Sequence, residues 1–260
     1  MKIVPGNIFC FWMLVVASAM TLYVIYLSRS GKYRVVIRPI VGLKSIDEAI
    51  GRATEMGTPV HFSPGLGDIV TSDSAQTLAA LEILGYVARL SAQYDARLVV
   101  TIRMPNIFPI AQEITRQSYL AGGKPDAYKD DTVRFITSDQ DGYACGVVGF
   151  MKREKAAANI MAGVYMGESL LITEAGSRIG AMQIAITASI TQLAFFVATC
   201  DYVVFGEELF AAGAYLSQNK VKLGAIAAQD YFKVAVMAAL LIGTIASSAG
   251  SDFVRVLLTK

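Results

Sequence analysis

From Ile8 to Leu27 the chain reads IFCFWMLVVASAMTLYVIYL, and no charged residue lies between Lys2 and Arg29. A helix of about 20 apolar residues matches the roughly 30 Å hydrocarbon core of a bilayer. The run therefore predicts a transmembrane helix, and the rest of the chain must either stay on one side of it or cross again. Tyr23 and Tyr26 fall near one end, where interfacial rings gather. Ala17-Ser18-Ala19 resembles the small-residue site at which a secretory leader is cut. The apolar run continues past that site through Leu27, which favours an anchor.

The flanking charges give the sidedness. Arg29, Lys32, Arg34, Arg38 and Lys44 all precede the first acid, Asp47, whereas the other flank offers only Lys2 and the amino terminus. The positive-inside bias then places the main domain on the cytoplasmic face of the cell membrane. With 54% hydrophobic and 17% charged residues and a mean hydropathy of +0.49, the chain lies between a soluble domain and a multi-spanning protein, as an anchor joined to a folded domain would. A formal net charge of +2 gives no basis for a nucleic-acid partner, which requires clustered Lys and Arg. Cys10, Cys145 and Cys200 are scattered without a CxxC pair, which indicates neither a disulfide framework nor a zinc site and fits a reducing compartment.

Beyond Lys32 short β-rich runs alternate with amphipathic stretches, the pattern of an α/β fold with a mainly parallel sheet flanked by helices. YRVVIRPI reads as a first strand or a lead-in. SIDEAIGRATEMG reads as a helix with Ser45 as N-cap and Gly57 at its end. TPVHFS is a strand, and DSAQTLAALEILGYVARLSAQYD a helix whose Leu78, Leu81, Leu84, Val87 and Leu90 form one stripe. RLVVTIRM and TVRFITS are strands, each followed by a helix, IFPIAQEITRQSYLAGG and QDGYACGVVGFMKRE. AANIMAGVYM fits strand or helix, ESLLITEAGSRIG is helical, and LAFFVATCDYVVFG reads as a buried strand followed by a turn.

Two further uncharged stretches need placing. Ile179 to Cys200 carries Gln183, Thr187, Ser189, Thr191, Gln192 and Thr199 around every helical face, so it is assigned to the α/β core rather than to lipid. Val234 to Ser251 reads VAVMAALLIGTIASSAGS, long enough for a second span. Its Ala238, Ala239, Gly243, Ala246 and Ser247 suit close helix packing in a membrane. The expected organisation is an anchor at 1–30, a cytoplasmic α/β domain at 31–230, and a membrane-embedded C-terminal helix at 231–260.

The stretch PVHFSPGLGDI, Pro59 to Ile69, holds the single histidine. A Gly-rich turn at the carboxyl end of a parallel strand exposes backbone N–H groups that suit an anion. Ser63, Gly65 and Gly67 would form that cradle, with His61 and Asp68 as acid–base groups. The motif is neither GxxxxGK[ST] nor GxGxxG. The alternative is a turn built on Pro64, Gly65 and Gly67, with Asp68 or Asp73 capping the next helix. One histidine excludes a two-histidine metal site, no GxSxG or SxxK serine is present, and no cofactor signature stands out. Among the acids Asp139, Asp141, Glu168, Glu174, Asp201, Glu207 and Glu208, those in apolar stretches need partners, with Arg134, Arg153 and Arg178 as candidates.

PVHFSPGLGDI, YACGVVGFM, GAMQIAIT and QLAFFVATCDYVVFGEELFAAGAYLS together resemble a family of bacterial and archaeal membrane-anchored proteins defined as a domain of unknown function, over about Thr58 to Asp230. That resemblance implies no activity, cofactor or catalytic residue. Two functions stay open: a membrane-bound domain that assembles with copies of itself or with other membrane proteins, and a membrane-tethered enzyme or small-ligand sensor with its site near His61.

Overall fold

The computed structural model describes residues 8–31, 40–217 and 219–248. The chain divides into two compact units, Pro39–Ser217 and a unit formed by the two ends of the chain. The lead-in expected at YRVVIRPI lies almost wholly outside the described residues.

The larger unit contains α2 (Val41–Met56), β1 (Val60–Gly65), α3 (Ser74–Tyr94), β2 (Leu98–Ile102), α4 (Phe108–Ala121), β3 (Val133–Phe135) and α5 (Gln140–Glu154). It continues through β4 (Ala158–Val164), α6 (Glu168–Arg178), β5 (Met182–Thr187), α7 (Ile190–Thr199), β6 (Tyr202–Phe205) and α8 (Glu208–Ser217). The sheet order is β3-β2-β1-β4-β5-β6 and every pairing is parallel. This is the order of doubly wound α/β sheets, and it reverses between β1 and β4.

Side-chain alternation along the strands divides the sheet into two faces. One presents Val60, Phe62, Val100, Ile160, Ile184 and Val204 to a core shared with α2, α3, α4 and α8. The other presents Val99, Met161 and Ala185 to Tyr143, Val147 and Phe150 of α5, Ile172 of α6 and Phe196 of α7. Each large side chain buried in this way contributes about 1.5–3 kcal/mol. Both faces being covered explains why β1, β4 and β5 are buried at every position.

Three local expectations are corrected. Helix α2 starts at Val41 with Ile40 at the N-cap, and Ser45 instead donates to Gly42 O (2.7 Å) inside the first turn. Gly57 does end that helix, at φ 63°. On α3, Leu81, Leu84 and Val87 are buried but Leu78 is 52% exposed. The buried arc is instead filled by Ala80, Ala88 and Ala92, whose small side chains admit α4 and α8 alongside. LAFFVATCDYVVFG is helix α7 followed by strand β6 rather than a buried strand and turn. Its first half is uniformly apolar, and a short apolar run does not distinguish the two by periodicity. AANIMAGVYM resolves as strand β4.

The second unit contains α1 (Ile8–Arg29) and α9 (Lys220–Ser248), the latter beginning well ahead of residue 231. At 1.5 Å per residue these 22 and 29 residues extend about 33 and 43 Å, and both are long and apolar enough to cross a membrane. They pack antiparallel. Ser28 donates to Lys220 O (2.7 Å), Val24 clusters with Ala227 and Ala228, and Phe232 shares a groove of about 590 Å³ with Met13, Ala17 and Thr21. Close approach rests on Gly224, where a Cβ would lie 3.0 Å from Ile25 Cα, the small-residue packing that membrane helices favour.

Candidate functional site

The carboxyl ends of β1 and β4 flank the point where the strand order reverses, the usual ligand crevice of such sheets. Here that crevice is closed by main chain. After a bulge at Ser63–Gly65, Gly65 pairs with Val164 at φ 82°, and Leu66 N donates to Val164 O (2.8 Å). Gly65 N donates to Ser63 Oγ (3.2 Å), so the Gly65 N–H of the expected cradle is already engaged, as is that of Leu66 beside it. Gly67 has an ordinary φ but lies against Thr77 Oγ1, where a Cβ would collide.

Beneath this turn the second sheet face carries a row of polar side chains. His61, Asn159 and Gln183 are neighbours in register on β1, β4 and β5, and each is at most 2% exposed. His61 Nδ1 lies 2.8 Å from Asn159 Oδ1. That oxygen only accepts, so Nδ1 carries the proton and Nε2 accepts from Thr101 Oγ1 at 2.8 Å. Thr101 Oγ1 and Ser63 Oγ both contact Tyr143 OH, at 2.9 and 2.7 Å. Tyr165 OH donates to Ser63 Oγ (2.9 Å).

Following the donors gives one direction throughout: Tyr165 to Ser63, to Tyr143, to Thr101, to His61, to Asn159. Asn159 Nδ2 then donates to Gln183 Oε1 (3.2 Å), and Gln183 Nε2 to Thr199 O (2.8 Å) at the end of α7. Such aligned chains strengthen one another in a low dielectric and fix a unique packing.

The electrostatics agree with a structural role. Burial lowers the His61 pKa to about 4, opposed only by its bond to Asn159, so the imidazole is neutral at pH 7. Burial raises Tyr143 to about 12 and Tyr165 well above its usual value. The network therefore carries no charge at neutral pH. A cavity of about 390 Å³ in this unit lies at the opposite end of β2, among Ser91, Arg97, Lys129 and Asp131.

The structure brings His61 and Ser63 together through Thr101 and Tyr143 and leaves Gly65, Gly67 and Asp68 in the turn above. Asp68 accepts from Ile69 N (2.6 Å) and Asn106 Nδ2 (3.2 Å). Asp73 is the N-cap of α3 but makes no side-chain cap bond. Arg103 spans the strand ends, donating to Ser138 O and Leu66 O at 3.0 and 3.3 Å. Among the described residues the buried carboxylate of Glu168 has no cation partner; it accepts from Met166 N (2.7 Å) and Gln140 Nε2 (2.6 Å). Glu174 pairs with Arg178 at 2.5 Å, whereas Arg134 pairs with Asp131. Asp139 caps α5 through Gly142 N, and Asp201 accepts from Gln183 N, both at 2.7 Å.

Sequence reasoning did not single out Thr101, Tyr143, Asn159, Tyr165 and Gln183 as members of one site. For Thr101, Asn159 and Gln183 the signal was a polar residue within an otherwise apolar strand, as in LVVTI, ANIMAGV and MQIAIT; Tyr143 on α5 and Tyr165 after β4 carried no such signal. Among the described residues no group of three or more His, Cys, Asp or Glu side chains is placed to hold a metal ion.

No curated protein and no solved structure matches the chain. From residue 4 to residue 258 it matches the family described as "Domain of unknown function (DUF6754)", and it belongs to that family.

Proposed function

We propose that the protein is a membrane-anchored α/β module that faces the cytoplasm and works by assembling with copies of itself. The observation that carries the membrane half is the antiparallel pairing of α1 with α9. Each helix turns its large apolar residues outward, with Trp12 60%, Leu14 66%, Leu240 65% and Ile245 69% exposed, as lipid-facing helices do. Both ends of the chain contribute a helix to this one unit, as an anchor serving a single domain would.

The assembly half is supported by what the larger unit leaves open. Among the described residues strand β6 ends the sheet, and it carries no Lys, Arg or Pro to blunt its edge. Helix α7 beside it exposes Ile190, Phe195 and Val197, and apolar patches of this kind mark interaction surfaces. The strand-end residues, by contrast, are occupied with one another. Native mass spectrometry of the detergent-extracted protein tests the reading. We expect a defined multimer; a monomer carrying a stoichiometric small molecule would overturn it in favour of the ligand-binding alternative near His61, Ser63 and Asp68.

A further inference from the structure

The pairing of α1 with α9 brings together cations that are far apart in the sequence. The Ser28–Lys220 hydrogen bond sets Arg29, the last residue of α1, beside the first turn of α9. Both Arg29 and Lys220 are exposed, and neither makes an ion pair among the described residues. Lys222 lies half a turn further on. The described residues of this unit contain a single acid, Asp230, which is paired with Lys233 at 3.7 Å. The first-turn N–H of Val221 is taken by Asn219 Oδ1 (2.9 Å), so the side-chain cations, rather than the helix end, form the charged surface.

The level of this cluster follows from its neighbours. Tyr23 and Tyr26, each 63% exposed, mark the boundary of the hydrocarbon on this side. Arg29 lies three residues beyond Tyr26, about 4.5 Å along the axis, within a headgroup layer roughly 5–7 Å deep. Lys233 lies about 20 Å deeper along α9 than Lys220, too deep for its stem to reach the interface, and it is paired there with Asp230.

We propose that Arg29 and Lys220 form a binding surface for the phosphate of anionic lipid headgroups, which holds the hairpin at a fixed depth. Each cation held near an anionic surface is attracted to it. The inference rests on the membrane reading above, and the two fail differently. If the full-length protein is released from membranes by alkaline carbonate, the membrane reading is wrong.

If it stays in the membrane, its melting temperature is compared in nanodiscs of phosphatidylcholine alone, with added phosphatidylglycerol, and with inorganic phosphate in place of phosphatidylglycerol. Wild type should melt about 3 °C or more higher with phosphatidylglycerol. Arg29→Gln/Lys220→Gln should lose at least half of that shift, while Arg29→Lys/Lys220→Arg retains it. An equal shift in the glutamine variant, or none in wild type, overturns the proposal. A phosphate effect that reproduces the lipid effect replaces the lipid source with a free anion.

Discussion

Gly65→Ala should cost the protein about 3 kcal/mol or more, the largest effect expected of any single methyl addition in the turn. Two penalties coincide at this position. Its φ of 82° lies in the left-handed region that side chains disfavour. The added Cβ would also meet Val164 O and lie 3.0 Å from Val164 N, main-chain atoms of β4 that cannot rotate aside. Gly67→Ala is the control: its φ is ordinary and its neighbour, Thr77 Oγ1, belongs to a side chain, so about 1 kcal/mol is expected. Urea unfolding of the full chain in detergent, followed by circular dichroism, measures both. Gly65→Ala matching wild type would show that β1 and β4 do not approach as described.

The second large effect is a pH dependence through His61. Its pKa is lowered to about 4 in the folded protein by burial, against 6.5 in the unfolded chain. Above pH 6.5 neither state is protonated there and the residue contributes no slope. Between pH 6.5 and about 4 the unfolded chain binds a proton that the folded imidazole refuses, so stability falls as pH falls. Below about 4 both states are protonated and the slope vanishes. The whole step amounts to about 3 kcal/mol. His61→Gln removes it, so the stability gap between wild type and variant should narrow by about that amount from pH 7 to pH 4. Parallel curves for the two proteins would mean that His61 is solvated.

Much of the fold was legible because its signals are local. The apolar run of α1, the αL glycine ending α2 and the alternation of strands and helices from Val60 to Glu154 are each encoded within a dozen or so residues. The misreadings fell where a local pattern is ambiguous. LAFFVATC is as apolar as a buried strand, and only its packing over β5 and β6 makes it a helix. At SIDEAIGRATEMG a serine suited to capping sits inside the helix because Val41 to Lys44 extend it backwards. The irregularity at the end of β1 was legible, since Pro64 and Gly65 interrupt a regular strand, but they form a bulge within β1 rather than a turn after it. The donor chain beneath it was not legible, because it joins strands that are adjacent in space and distant in sequence. His61 meets Asn159 and Thr101 only once the sheet order is known.

We propose a domain held on the cytoplasmic face by the two helices α1 and α9, each of which crosses the membrane. Single cysteines introduced at Lys124 and at Lys260, in a chain whose Cys10, Cys145 and Cys200 are replaced by serine, test it directly with a membrane-impermeant maleimide on intact cells. The account expects Lys260→Cys to label at once and Lys124→Cys to label only after lysis. Ready labelling of Lys124→Cys in intact cells would contradict it.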